Sequence, residues 1–319
     1  MHTDWEKSVG NFCHISNVMN NCINNIVDEK FINGFNKSSQ KLMRNIYYNT
    51  YKLYCQSRGQ KHISYELFFS NMRRRKIKLV QTCCPYCGEI SIRISEQSIK
   101  DINTNCCFSC GKKSALYDLE LSLGPFATTR IIINKGISEL KKDDDPNIEI
   151  ASIGAYNTEI VQLTTIMETL LRQYFDSILY IRNNRKFNTY VRDSIRSKYK
   201  NGFMNIEKAQ NEYKRAFNIN LKAVLNCDNM WKDLQDLSAL RNVIVHNNGY
   251  CDNVFTSSNT YSRLQKNIKD ELVITDDAMI LRFFRSVLTL VSEVCEIFET
   301  EFEACKYDII SQYYFFNER

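Results

Sequence analysis

Residues 240–250, LRNVIVHNNGY, set an arginine, an asparagine and a histidine into an otherwise apolar helical run that stops on Asn-Asn-Gly. All three polar types suit work on a phosphodiester. Histidine, with an ordinary pKa near ~6.5, takes up or gives a proton at neutral pH. Arginine offers a planar, permanently charged clamp for phosphoryl oxygens. An asparagine amide can hydrogen-bond an imidazole or a phosphate and fix its orientation. At ~100° per residue, Asn242 and His246 project almost together, on the side opposite Leu237 and Ile244. Arg241 projects ~140° from His246 on an ideal helix, a gap for a long side chain and a fraying last turn to bridge. The plainer reading of His246 is a positive charge complementing the negative end of a helix dipole.

A second set of residues has ligand chemistry. Cys84, Cys87, Cys107 and Cys110, in CPYCG and CFSCGKK, form two CxxC pairs separated by 19 residues. Two residues between thiolates let a tight knuckle present both sulfurs to one ion, Gly88 and Gly111 permit the turn, and two knuckles complete a tetrahedral zinc site. All four positions would be protein thiolates, so the zinc is expected to be structural, contributing on the order of 10 kcal/mol to folding. The neighbouring Cys83 and Cys106 are alternative ligands, and a redox CxxC is the competing reading.

The elements that must position these groups follow from hydrophobic period. Ile160, Leu163, Met167, Leu170, Leu171, Tyr174, Ile178 and Ile181 recur at threes and fours, predicting a long helix after about residue 152. A second helix is expected over about Ile206–Leu225. A third starts near Asp228 as its cap, with Met230, Leu234, Leu237, Leu240 and Ile244 on one stripe, and ends before Gly249. A fourth opens at Thr275 with Asp276 and Asp277 in its first turn. Four amphipathic helices predict a bundle over 151–319. Upstream, residues 1–80 read as short helices, one carrying Leu42, Ile46, Tyr47 and Leu53 on its face and another capped by Ser64. EISIRI alternates as a strand. RIIINKGISEL reads as another strand with a turn at Lys135-Gly136, and KKDDDPN marks the main domain boundary, so that 81–150 is expected to hold a zinc ribbon and short strands. The fold class is mainly α with a small β zinc ribbon.

Length and apolar content suit a chain that buries a core. No run of ~18 apolar residues and no charged-then-apolar leader is present, so neither membrane span nor secretory signal is expected and the chain is placed in the cytoplasm. Thirteen cysteines in that setting favour metal over disulfides. The net charge of +6 is unevenly spread: from Lys41 to Lys78 ten Lys or Arg face one acid, Glu66. Residues 180–200 are also basic, with Arg182, Arg185, Lys186, Arg192, Arg196 and Lys198 interleaved with Phe187, Tyr190 and Tyr199. Cations hold phosphate and aromatics stack unpaired bases, although a solvated charged face explains either stretch as simply. Glu168, Arg172 and Asp176, at i, i+4 spacing, read as a surface ion-pair ladder.

LRNVIVHNNG on the third helix of a four-helix bundle resembles the HEPN superfamily, over about residues 153–305 in architecture and at Arg241, Asn242 and His246 in chemistry. The position two residues after the histidine, a tyrosine in some members, is Asn248 here, with Tyr250 two further on. The resemblance implies a metal-independent endoribonuclease acting as a homodimer, often in defence, toxin or RNA-processing systems. Such chemistry needs no catalytic metal, because RNA supplies its own 2′-OH nucleophile. One group must remove a proton and another donate one. Each chain offers one histidine in this domain, and a two-fold interface would bring a second. The expected partners are therefore RNA (tRNA or another single-stranded or loop RNA), a second copy of the chain, and a trigger or regulatory partner at the N-terminal module, with no membrane. The reading from another class is a non-catalytic nucleic-acid- or protein-binding regulator whose bundle only dimerises.

Overall fold

The structure is a computed structural model that describes residues 24–84, 89–95, 107, 115–183, 189–199 and 201–316. Among these residues the chain is mainly helical, with twelve helices and two small antiparallel sheets. No helix among them is long and apolar enough to cross a membrane. The chain divides into two compact units. One, called here the mixed unit, takes Asn17–Leu116, Asp176–Phe187 and Phe298–Arg319; the other, the helical unit, includes Tyr117–Phe175 and Asn188–Ile297.

In the mixed unit, strand β1 (Asn24–Val27) leads into α1 (Glu29–Asn33), α2 (Lys37–Ser57), α3 (Tyr65–Arg73), β2 (Lys78–Cys83) and β3 (Ile90–Ser95). The sheet runs β1-β2-β3, antiparallel throughout, in register Ile26↔Val80 and Gln81↔Ile92. Ser64 caps α3 as expected, accepting from the Leu67 N–H at 3.3 Å. The buried face of α2 differs from expectation: Met43, Tyr47, Tyr51 and Cys55, spaced by four, are buried, whereas Leu53 is 65% exposed. Tyr47 is held there by its hydroxyl, which donates to the buried Gln81 carbonyl at 2.6 Å. Gly34 is required by close approach, since a Cβ would meet the Tyr307 ring at 2.1 Å where that ring packs on Phe31 and Phe35.

The helical unit is built from most of α4 (Ala115–Lys142), α5 (Ile148–Arg182) as far as Phe175, α6 (Thr189–Lys198), α7 (Ile206–Phe217), α8 (Leu221–Leu225), α9 (Asp228–Asn247), α10 (Asn253–Thr256), α11 (Asn259–Leu264), the hairpin β4 (Ile268–Lys269) and β5 (Leu272–Val273), and α12 (Asp277–Phe316) as far as Ile297. Phe175 is the centre of an aromatic cluster with Tyr199, Phe203, Tyr213 and Phe217, the ring centroids lying 4.7–5.5 Å away. Edge-to-face pairs of this kind contribute about 0.5–1.5 kcal/mol each beyond their burial. The Tyr213 hydroxyl donates to the Leu171 carbonyl at 2.7 Å and ties α7 to α5.

Three expectations differ from the fold. RIIINKGISEL is not a strand but the second half of α4. Its buried residues, Leu123, Phe126 and Arg130, recur at helical spacing, while Ile131 and Ile132, whose β-branched run suggested a strand, are exposed. KKDDDPN is a turn between α4 and α5, both of which enter the helical unit, rather than a domain boundary. The expected helix Ile206–Leu225 breaks at Asn218, which adopts the left-handed conformation with φ 59° and leaves α7 and α8 separate.

Candidate functional site

Helix α9 carries the Arg-Asn-His group, and its burial pattern explains which side faces out. Trp231, Leu234, Leu237, Leu240 and Val243 form the buried face, so the stripe is displaced by one residue at each end from Met230 and Ile244. Asp236 on the same face is buried and held by Arg263, whose Nε donates to both carboxylate oxygens at 3.0 and 3.2 Å. Asp228 is the first helical residue rather than the cap, which is Cys227. The end of α9 answers why the run stops on Asn-Asn-Gly. Asn248 takes the left-handed conformation at φ 53°, and Gly249 follows at φ 88° with its N–H bonded back to the Val243 carbonyl at 3.2 Å. A Cβ on Gly249 would also approach Leu272 to 3.2 Å, so glycine is required on both counts. The Gly249 carbonyl accepts from Val273, and Tyr250 bridges to Leu272, anchoring the helix end to the β4–β5 hairpin.

On that support Arg241 is half-buried, and Asn242 and His246 are exposed. Arg241 Nη1 donates to Asn242 Oδ1 at 3.2 Å, so the arginine swings toward the asparagine's side of the helix. His246 lies in the last turn and makes no hydrogen bond, ion pair or ring contact among the described residues. The chain therefore brings Arg241 and Asn242 together and leaves the surroundings of His246 to whatever meets that surface. Val245 and Tyr250, 44% and 55% exposed, flank the imidazole in sequence.

Glu168 on α5 is the residue that sequence reasoning placed elsewhere. It makes no ion pair with Arg172; one carboxylate oxygen is buried without a hydrogen-bond partner among the described residues. Burial pushes its carboxyl above the usual range, while the nearby Arg241 and then Arg172 guanidinium charges pull it down. This pairing of α5 with α9 joins residues far apart in the chain, and no local pattern could have signalled it.

The basic stretch 180–200 is divided between the two units. Arg182 ends α5 and is taken up by Glu301, with Nε donating to Oε2 at 3.0 Å. Arg182 belongs to the mixed unit, whereas Arg192, Arg196 and Lys198 lie on α6 in the helical unit. Arg196 is half-buried and Lys198 exposed. Arg185 and Lys186 lie outside the described residues.

Of the four expected zinc ligands, Cys87 and Cys110 also lie outside them. Cys84 is buried just past the end of β2, and its N–H donates to the Glu89 carbonyl at 2.9 Å. Cys107 is half-buried. Among the described residues no three His, Cys, Asp or Glu side chains converge as a metal-binding group.

A second feature of the helical unit is a cavity of about 510 Å³ at the start of α9, lined by charged and amide side chains including Lys222, Asp228, Lys232 and Arg263 around Trp231. Comparison with protein-family models, with curated proteins and with solved structures gives no match to this chain.

Proposed function

We propose that the chain is a metal-independent endoribonuclease of HEPN type, with Arg241, Asn242 and His246 at its catalytic site. The observation that carries this reading is the exposed end of α9, where an imidazole with no partner among the described residues shares one helix end with an arginine tied to an asparagine. His246 removes or donates the proton that 2′-OH attack requires, Arg241 holds the non-bridging oxygens as charge develops on phosphorus, and Asn242 orients Arg241. The 2′-oxygen bonds to phosphorus, the bond to the 5′-oxygen breaks, and that oxygen takes a proton, leaving 2′,3′-cyclic phosphate and 5′-OH ends. One proton is removed and another delivered, so a homodimer supplies the second histidine. RNA is the substrate, with tRNA or another single-stranded or loop RNA as the class to test. Cys84, Cys87, Cys107 and Cys110 would hold a structural zinc, and the mixed unit would receive a trigger or regulatory partner.

The assay is labelled tRNA and total RNA in EDTA, with wild-type, His246→Ala and Arg241→Ala proteins and the product ends mapped. Cutting in EDTA that requires both residues supports the reading, and full activity in the His246→Ala protein would falsify it. The exposed position of His246 in the last turn also suits a helix-dipole partner in a non-catalytic dimeric regulator; binding without cutting selects that reading.

A further inference from the structure

From Lys37 to Lys78 the sequence has eleven Lys and Arg and one acid, Glu66, whereas Tyr117–Phe175 and Asn188–Ile297 together have 20 Lys and Arg against 22 Asp and Glu. Five of these cations lie on α2 and α3 (Lys37, Lys41, Arg44, Lys52 and Arg73), and Arg58, Lys61, Arg74, Arg75 and Lys76 lie in the turns on either side of α3. The two helices run antiparallel: Tyr48 packs on Tyr65 at 5.2 Å, and Arg44, one turn earlier, sits over Phe69 at 5.2 Å. Among the described residues only Arg44 and Arg73 of this set meet a carboxylate, both that of Glu29, at 3.4 and 4.0 Å. The other nine cations have no ion-pair partner among the described residues.

Their settings are not those of a uniformly solvated face. Arg73, Arg74, Arg75 and Lys76 are all exposed and stand between two buried anchors, Met72 and Ile77. Backbone bonds from Arg75 to Met72 and from Lys76 to Asn71, each 2.9 Å, fix the turn. Arg75 holds φ at 57°, a conformation that glycine or asparagine adopts more easily, so a cation is kept where the backbone favours another residue. At the far end of α3, Lys61 and His62 are exposed, and Arg58 lies over the half-buried Tyr54 ring at 5.1 Å. Lys52 lies 5.8 Å from the Tyr48 ring. Cations without ion pairs among the described residues, standing in the turns at both ends of α3 and along α2, match the chemistry of a strand whose phosphates need charge.

We propose that the α2–α3 hairpin of the mixed unit binds single-stranded nucleic acid through its phosphate backbone. This surface is separate from the Arg241–His246 group and requires no cleavage by it. The test measures anisotropy of fluorescent single-stranded RNA, single-stranded DNA and duplex DNA oligonucleotides with the full chain across a salt series, and binding to anionic lipid vesicles by sedimentation; DNA lacks the 2′-OH, so its binding is read without cleavage. The sugar that binds more tightly identifies the natural ligand. The variant Arg74→Gln/Arg75→Asn/Lys76→Gln should weaken binding on the order of tenfold or more and reduce the slope of log affinity against log salt by about 2, at ~0.7 per lost phosphate contact. A matched variant, Lys135→Gln/Lys141→Gln/Lys142→Gln, should leave both unchanged. Equal losses in the two variants, no loss in the first, preference for duplex, or equal affinity for anionic lipid vesicles overturns the proposal. Ultraviolet cross-linking of the wild-type chain gives a readout independent of any variant's folding: cross-linked peptides should fall within residues 37–78, and cross-links confined to 117–175 and 188–297 overturn it.

Discussion

Helix α5 presents two glutamates to two arginines, and the pairs are unlike. Glu159 and Arg130 are 1% and 2% exposed and meet at 2.8 Å, with Asp277 closing on the other side of the guanidinium. Glu168 only senses Arg241 through space, keeps an oxygen unpartnered among the described residues, and faces an arginine hydrogen-bonded to exposed Asn242. The first pair is sealed by burial and filled by protein partners. The second leaves donor capacity on the guanidinium at the surface. The same residue types therefore sit in opposite settings: Arg130 ties α4, α5 and α12 together, and Arg241 is the guanidinium that the proposed function assigns to a phosphate.

The largest effects should separate the two arginines completely. His246→Ala is expected to lower cleavage about 10²–10⁴-fold and Arg241→Ala about 10²–10³-fold, with unfolding free energy within about 0.5 kcal/mol of wild type in urea titrations. Arg130→Met should do the reverse, destabilising the chain by about 3–5 kcal/mol at pH 8 by leaving Glu159 buried and uncompensated. Comparable stability loss at Arg241, or none at Arg130, would erase the distinction.

What could be read from the sequence follows the same division between local and long-range causes. The Ser64 cap and the end of α9 at Asn248 and Gly249 were legible because each is set by a few adjacent residues, and the start of α12 was legible to within two residues: the helix begins at Asp277 rather than Thr275, and Asp276 accepts from the Met279 N–H at 2.7 Å. The alternation of EISIRI likewise marked β3. Helix α4 was not legible, because three successive isoleucines outweigh a burial period in which the last member of the face is an arginine, a residue buried only because Glu159 and Asp277 await it. Strand β1 was missed for a similar reason: Asn24–Val27 is short and half polar, and pairs with β2 more than 50 positions away. At the site, the residue types were readable from spacing, but Glu168 was assigned to its own helix surface when its electrostatic partner lies on α9.

The sealed pair also makes a prediction in pH. Burial pushes the Glu159 carboxyl up to about 7 from 4.5, even though Arg130 pulls the other way. A carboxyl whose pKa is higher in the folded chain binds more protons folded than unfolded. Its contribution is therefore fully present below pH 4.5 and is lost as pH rises through 7. The expected loss over that window is on the order of 3 kcal/mol, and Glu159→Gln should flatten it. Chemical denaturation at half-unit pH steps measures both curves; parallel curves would mean that Arg130 keeps Glu159 ionised throughout.

The smallest expected effect tests the open pair. Glu168 carries negative charge toward the same guanidinium that a phosphate would need, so the two compete for Arg241. Glu168→Gln removes that competition while keeping the side chain's shape and leaving a neutral amide where a half-buried charge stood. The unfolding free energy should change by no more than about 0.5 kcal/mol. In the cleavage assay KM should fall about two- to fivefold, an amount set by one partly screened charge, with kcat nearly unchanged. A loss of kcat of a hundredfold or more would place the Glu168 carboxylate in the proton transfer itself, and a rise in KM would mean that it holds Arg241 in position rather than competing for it. Either outcome would show that the open pair is bound up with its own partners no less than the sealed one, differing only in being assembled at the surface.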